Sequence, residues 1–324
     1  MYNKEKRIAA RGNGMKLSTS TEHLCHELKK TDECIRWSNQ VGFRHFNICF
    51  GDEQRDLAPG AEWDEYIDRI GRALHETGTD GVLAHSVVET LQNSTYDAIL
   101  EHTWMDIRAC DKLGVPDIVV HPLYKSDMGM REMYRFNKRF YRDVYAGVPG
   151  TNVHVLIENA ADSEARSCVF ASGQDLREFL EYMDEPRMGA CWDTSHGNLN
   201  RPPRNNQYDN IVALGDKLRA LHIADNYGVS MYHHHTFPLA GVINFDSVMC
   251  GLVDVGYKGA FNFEASYTIR HAKMMPVHRN EWHPDHRAYE PKLDEPSPEL
   301  KLKAEELLYQ IGRFMLEQYG LEVE

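Results

Sequence analysis

The stretch Arg187–Asn200, RMGACWDTSHGNLN, reads as a short apolar strand, Met188–Trp192, running into Asp193-Thr194-Ser195-His196. A strand that ends in Asp-x-x-His sets a carboxylate and an imidazole at one strand mouth. Alone, Asp193 would be a loop acid and His196 a helix cap. The pattern recurs, however: HVLIE ends at Glu158, LRALH at His222, AFNFE at Glu264, DIVVH at His121 and GVLAH at His85. Carboxylates gathered in one space repel and raise each other's pKa unless a cation lies between them. Glu158, Asp193, His222 and Glu264 offer oxygen ligands and one imidazole, a set that suits Mn²⁺, Mg²⁺, Fe²⁺, Co²⁺ or Zn²⁺. The bland alternative is separate solvated residues at separate loop starts. Recurrence at consecutive strand ends weighs against it.

Other histidines cluster around this set. His196 stands in reach of a substrate oxygen or a second metal, or else caps a helix. His85 and His121 end neighbouring strands and serve either the site or the core. In the run His233-His234-His235, one or two side chains face the site, unless the loop is fully exposed.

The elements that must position these residues alternate regularly. Strands are predicted at Met15–Ser20, Phe43–Ile48, Gly81–His85, Asp117–His121, Val153–Glu158, Met188–Asp193, Leu218–Ile223 and Ala260–Glu264. Helices are predicted at Thr31–Gln40, Trp63–Thr77, Tyr96–Leu113, Arg131–Ala146, Gly173–Met183, Tyr208–Leu214, Phe245–Val255 and Leu300–Tyr319. Ile67, Ile70 and Leu74 show the spacing of an amphipathic helix, and Gly114 and Gly256 mark helix ends. Strands that alternate with helices imply a parallel sheet. Eight such units fit a closed barrel, whose active site lies at the C-terminal strand ends. The expectation is an α/β fold, a (β/α)8 TIM barrel, with one domain over residues 1–324. Its strands occupy about 15–264, a long insertion 267–298 follows strand 8, and a final helix spans 300–319. The insertion holds His271, His278, Trp282, His283 and His286 and is either a lid or a surface arm.

Composition narrows the partners. With 36 basic and 49 acidic residues the net charge is −13, which argues against a nucleic-acid backbone. The 7 cysteines are scattered, with no CxxC, so reduced thiols are expected rather than a disulfide framework. The N-terminal MYNKEKRIAARGNG has no apolar core like that of a signal peptide, and no run approaches the ~18 apolar residues of a membrane span. A cytoplasmic protein with no membrane partner is expected. No GxGxxG or GxxxxGK[ST] follows a strand, so the common phosphate-cradling loops are absent.

IEN at Glu158, CWDTSH over Asp193–His196, LHIADN from His222, HTFPLAGVINF from His235 and GAFNFEAS at Glu264 resemble the xylose isomerase-like TIM-barrel superfamily. It includes sugar phosphate isomerases and epimerases, ketose 3-epimerases, inosose dehydratases and endonuclease IV. The resemblance covers about residues 15–265 and is most specific from Glu158 onward. It implies a divalent metal, Mn²⁺ foremost, held by Glu158, Asp193, His222 and Glu264. It also implies that the two glutamates move protons on opposite faces of a sugar and that His196 contacts substrate oxygens. His85, His121 and His235 complete the substrate side. In endonuclease IV nine ligands hold three zincs, and eight positions match in type here; the ninth, an Asp there, is His233. The family's HxxPGxGxI pattern is altered to His235-Thr-Phe-Pro-Leu-Ala-Gly-Val-Ile.

The expected function is a metal-dependent sugar isomerase or epimerase that abstracts a proton alpha to a carbonyl through an enediolate. The alternative is a lyase on a keto-sugar or inosose. That includes the catalytic subunit of a C-glycoside deglycosidase, which works with a small partner subunit. A minor alternative is an endonuclease IV-like phosphodiesterase. The expected partner is a small sugar or sugar conjugate, with a homo-oligomer or a small partner subunit as further options.

Overall fold

The computed structural model describes residues 14–54, 57, 60–125, 128–161, 169–228, 234–266, 269 and 296–324. Most of the expected insertion 267–298, with its histidines and Trp282, lies outside the described residues, as does His233.

Eight strands form the barrel: β1 Leu17–Ser20, β2 His45–Cys49, β3 Asp80–His85, β4 Asp117–Val119, β5 His154–Glu158, β6 Met188–Asp193, β7 Leu218–His222 and β8 Phe261–Phe263. Each strand pairs parallel with the next from β1 to β7, and β8 pairs parallel with β1. The ring closes between β7 and β8. There Ile223 N donates to Asn262 O at 2.8 Å and Glu264 N donates to Ile223 O at 3.1 Å. This is the expected (β/α)8 TIM barrel.

Two-residue alternation along a strand explains both the core and the site. Leu83, Leu156, Cys191 and Ala220 form one buried cluster with Val119. Two residues further along the same strands come His85, Glu158, Asp193 and His222, on the same face. The barrel interior is therefore an apolar plug, and the chemistry sits on top of it. The opposite strand faces, with Phe46, Ile157, Trp192 and Phe263, join the larger core against the helices.

Helix boundaries follow capping chemistry. Thr95 accepts from Ala98 N ahead of Tyr96–Leu113, and Ser172 with Asp175 makes a reciprocal capping box ahead of Gly173–Met183. The last helix packs across β1 and β8, and Gly312 is its point of closest approach. A Cβ there would lie 2.5 Å from Leu17 Cδ1 and 2.8 Å from the Phe263 ring.

Several boundaries differ from the sequence expectation. The first strand breaks at Lys16. Gly14–Met15 pairs instead with Glu322–Val323, an element with no periodic signal in the sequence. His121 and Glu264 stand just past β4 and β8. The ladder thins there: Pro122 offers no N–H, and past Phe263 the ladder continues through the bond from Glu264 N to Ile223 O. The final helix is Pro298–Gln318, because Ser297 caps Leu300 N and proline suits the first turn. Short helices at Glu22–Leu28 and Thr194–Asn198 are too brief to show a hydrophobic period.

Candidate active site

The strand ends bring together all eight candidate side chains. Glu158, Asp193, His222 and Glu264 each present a ligand atom, and these atoms lie within 4.8 Å of one another. All four residues are buried. His222 Nδ1 lies 3.0 Å from Glu158 Oε1 and 3.3 Å from Glu264 Oε2, so one imidazole bridges the two glutamates. The His222 ring stacks on that of His85, with centroids 5.5 Å apart.

Glu158 is ringed by imidazoles. His121 Nε2 lies 2.8 Å from Oε2, His85 Nε2 lies 3.6 Å from Oε2, and His196 Nδ1 lies 3.4 Å from Oε1. Burial works against its charge, but His222 and His121 outweigh that and hold its carboxyl well below the usual range. Burial likewise opposes the Glu264 charge, and His222 and His235 overcome it in the same way. Asp193 goes the other way: burial pushes it up to about 6, despite His196 and His235. Burial lowers His222, yet the Cys191 thiol and the two glutamates hold it well above its ordinary value.

Asp193 shows the fit to a cation most directly. Its Oδ1 accepts from His196 N at 2.7 Å, capping the helix Thr194–Asn198. So Asp193, not His196, is the cap. Its Oδ2 is buried and has no hydrogen-bond partner among the described residues. The nearest imidazole nitrogens there, His196 Nδ1 and His235 Nε2, are both 3.9 Å away. A buried carboxylate oxygen without a donor is costly unless an ion or a ligand meets it. Glu158, Asp193, His222 and Glu264 could together hold one divalent ion. Three further groups, His85-His222-Glu264, His85-His121-Glu158 and Asp193-His196-His235, have metal-ligand spacing as well.

His235 enters from the loop after β7, with Nδ1 3.0 Å from Glu264 O. Of its neighbours in the histidine run, His234 accepts from Ser195 Oγ through its carbonyl and sets its ring edge-on to Tyr227.

Sequence reasoning missed the side chains that brace the site. Asn159 Oδ1 accepts from Asp193 N at 2.6 Å while its Nδ2 donates to Asp193 O at 2.9 Å. The one amide locks the end of β5 to the end of β6. Its only signal was its place directly after Glu158. Thr194 Oγ1 donates to Ala224 O at 2.6 Å, and Asn226 Nδ2 donates to Ser195 O at 2.8 Å, which ties β6 to the segment after β7. Asn159→Ala strips both partners from buried Asp193 backbone groups. It should lower unfolding free energy by about 1–3 kcal/mol, read from urea denaturation; an unchanged midpoint would count against this bracing role.

A closed parallel barrel whose C-terminal mouth gathers buried carboxylates and imidazoles defines the class: an α/β barrel with a candidate metal site at its strand ends. The chain belongs to the xylose isomerase-like TIM barrel family, whose profile matches residues 27–288. It is similar to the protein y4fM of Sinorhizobium fredii, 26% identical over 72% of this chain and 81% of that one. It is also similar to a ketose 3-epimerase of Arthrobacter globiformis, 25% identical over 41% of this chain and 43% of that one. The crystal structure of a D-psicose 3-epimerase with D-tagatose, from Clostridium cellulolyticum, shares the fold. Its TM-score is 0.69 at 16% identity, covering 93% of this chain and 99% of that one. Among the described residues no helix is long and apolar enough to cross a membrane.

Proposed function

We propose that this protein is a divalent-metal-dependent sugar isomerase or epimerase that moves a proton alpha to a carbonyl. One observation carries the reading. Glu158, at the end of β5, and Glu264, just past β8, both face His222 Nδ1, at 3.0 and 3.3 Å, beside the Asp193 Oδ2 that has no partner among the described residues. That sets two carboxylates from separate segments beside one candidate cation position. The ketose 3-epimerase relative supports the same substrate class.

Glu158, Asp193, His222 and Glu264 would hold the ion, with Mn²⁺ favoured and Mg²⁺, Co²⁺, Fe²⁺ and Zn²⁺ also matching the donor set. When bound, such an ion polarises a carbonyl and its neighbouring hydroxyl and orients both. One glutamate takes the alpha proton and the other returns a proton to the opposite face. His85, His121, His196 and His235 line the same mouth and bind substrate oxygens. A cytoplasmic location and a small sugar or sugar conjugate as partner complete the reading. A homo-oligomer or a small partner subunit is compatible with it.

A lyase would share the first step and then expel a β substituent. The asymmetry of the site bears on this second reading. Glu158 has His85, His121 and His196 beside it as well as His222, whereas Glu264 has His222 and His235, so more donors to a leaving group stand on the Glu158 side. The three extra ligand groups keep a multi-metal phosphodiesterase as a third reading, against which the net charge of −13 weighs.

Product analysis on a panel of ketoses and 3-keto-sugars tests these readings. An epimer or isomer supports the proposal. A β-eliminated product moves the protein to the lyases, and no conversion of any sugar counts against both. Metal content per chain tests the third: about three zincs with abasic-site cleavage would promote it. His222→Ala removes the one nitrogen of the proposed set and should lower bound metal, measured by elemental analysis. Undiminished metal in that variant would contradict the ligand assignment.

A further inference from the structure

Thr19, His23 and Glu305 form a buried polar chain that the proposed chemistry does not use. They come from three elements: β1, the helix Glu22–Leu28 and the final helix. Their exposures are 0%, 5% and 4%. His23 Nδ1 lies 2.6 Å from Glu305 Oε1, and Thr19 Oγ1 donates to Glu305 Oε2 at 2.9 Å. On the far side of the ring, Ala265 N donates to His23 Nε2 at 2.8 Å.

An amide N–H can only donate, so Nε2 must be the bare nitrogen and Nδ1 carries the proton. That proton goes to Glu305. The ring orientation is therefore set from both ends, by a backbone donor and a carboxylate acceptor.

What the ring holds is the peptide after Glu264. β8 ends at Phe263, and a single bond from Glu264 N to Ile223 O continues the ladder. The next amide, that of Ala265, goes to His23. Glu264 is thus gripped from both sides, although it stands past the end of its strand. The close approach of the final helix at Gly312 brings Glu305 within reach of β1 and of this grip.

We propose that His23 and Glu305 are positioning residues for Glu264. Their hydrogen-bonded chain fixes the peptide that follows it and so aims its carboxylate at the cation site. This rests on the reading of Glu264 as a ligand and proton carrier. A merely structural staple between helix and barrel would cost stability when broken but leave metal binding and turnover unchanged.

The test uses the full-length protein with Mn²⁺ and two variants. His23→Leu removes both hydrogen bonds. His23→Gln keeps an acceptor near the Nε2 position. In His23→Leu the Ala265 amide should exchange faster with solvent deuterium. Mn²⁺ affinity by calorimetry should fall by roughly 10–100-fold. On a sugar that the wild type converts, kcat at saturating Mn²⁺ should fall with a much smaller change in KM. His23→Gln should recover most of these losses. The proposal is overturned if His23→Leu loses only melting temperature, or if His23→Gln is no better than His23→Leu. Should His23→Leu not fold, ring ¹⁵N NMR of the wild type decides: a proton on Nδ1 supports the chain, and a proton on Nε2 breaks it. Amide exchange, Mn²⁺ affinity and ring NMR need no substrate, so they remain decisive even if no sugar is converted.

Discussion

Glu158→Gln and Glu264→Gln are each expected to leave turnover ~10²–10⁴-fold below wild type at saturating metal, the range for lost general acid–base catalysis. An amide keeps the shape of the side chain and one oxygen able to meet a cation. It cannot accept a proton from carbon. If these residues were ligands alone, excess Mn²⁺ would rescue most of the rate. The environments predict a further distinction. Glu158 has imidazoles on both oxygens, His222 on Oε1 and His121 on Oε2, so the amide of Glu158→Gln must also face a nitrogen. Its metal affinity should therefore fall as well as its rate. In an epimerase both variants are crippled, since one residue removes the proton and the other returns it. In a lyase only the abstracting residue is essential to the first step. Steady-state rates across a metal titration separate these cases.

Removing the divalent ion with a chelator is expected to abolish turnover, and Mn²⁺ or a similar ion should restore it. The apo site is still expected to stay folded. Two of its buried carboxylates, Glu158 and Glu264, have the His222 imidazole between them, and Asp193 keeps its helix-capping bond to His196 N. Refilling should raise the melting temperature, because an ion that binds only the folded chain stabilises it. At 100 times its Kd the gain is about 2.7 kcal/mol. Activity assays and calorimetry on dialysed and refilled protein check both halves. Full turnover in metal-free protein would contradict the proposed role of the site.

The barrel was legible because its signals are local and repeated. Apolar strands such as Met188–Trp192 and amphipathic helices such as Trp63–Thr77 carry their periodicity within a dozen or so residues. The core of the site was legible for the same reason: Glu158, Asp193 and His222 are the last residues of their strands. Glu264 and His121 fall one and two residues beyond, a shift within the usual uncertainty of element ends. The bracing residues were not legible. Asn159 acts on Asp193, 34 residues away, and His23 acts with Glu305, 282 residues away. No spacing within one element encodes such pairs; the closure of the barrel creates them. The strand Glu322–Val323 was hidden likewise, since its partner is the other end of the chain.

The central claim is that the Glu158 and Glu264 carboxylates move a proton at a carbon next to a sugar carbonyl. Solvent exchange tests it most directly. The Mn²⁺-loaded wild type and the two glutamine variants would be incubated in D₂O with each ketose and 3-keto-sugar, and deuterium at the alpha carbon followed by NMR and mass spectrometry. The account predicts deuterium in substrate or product with the wild type, and exchange suppressed at saturating Mn²⁺ in Glu158→Gln, Glu264→Gln or both. Conversion of a sugar without alpha deuterium, or wild-type exchange in both variants, would contradict it.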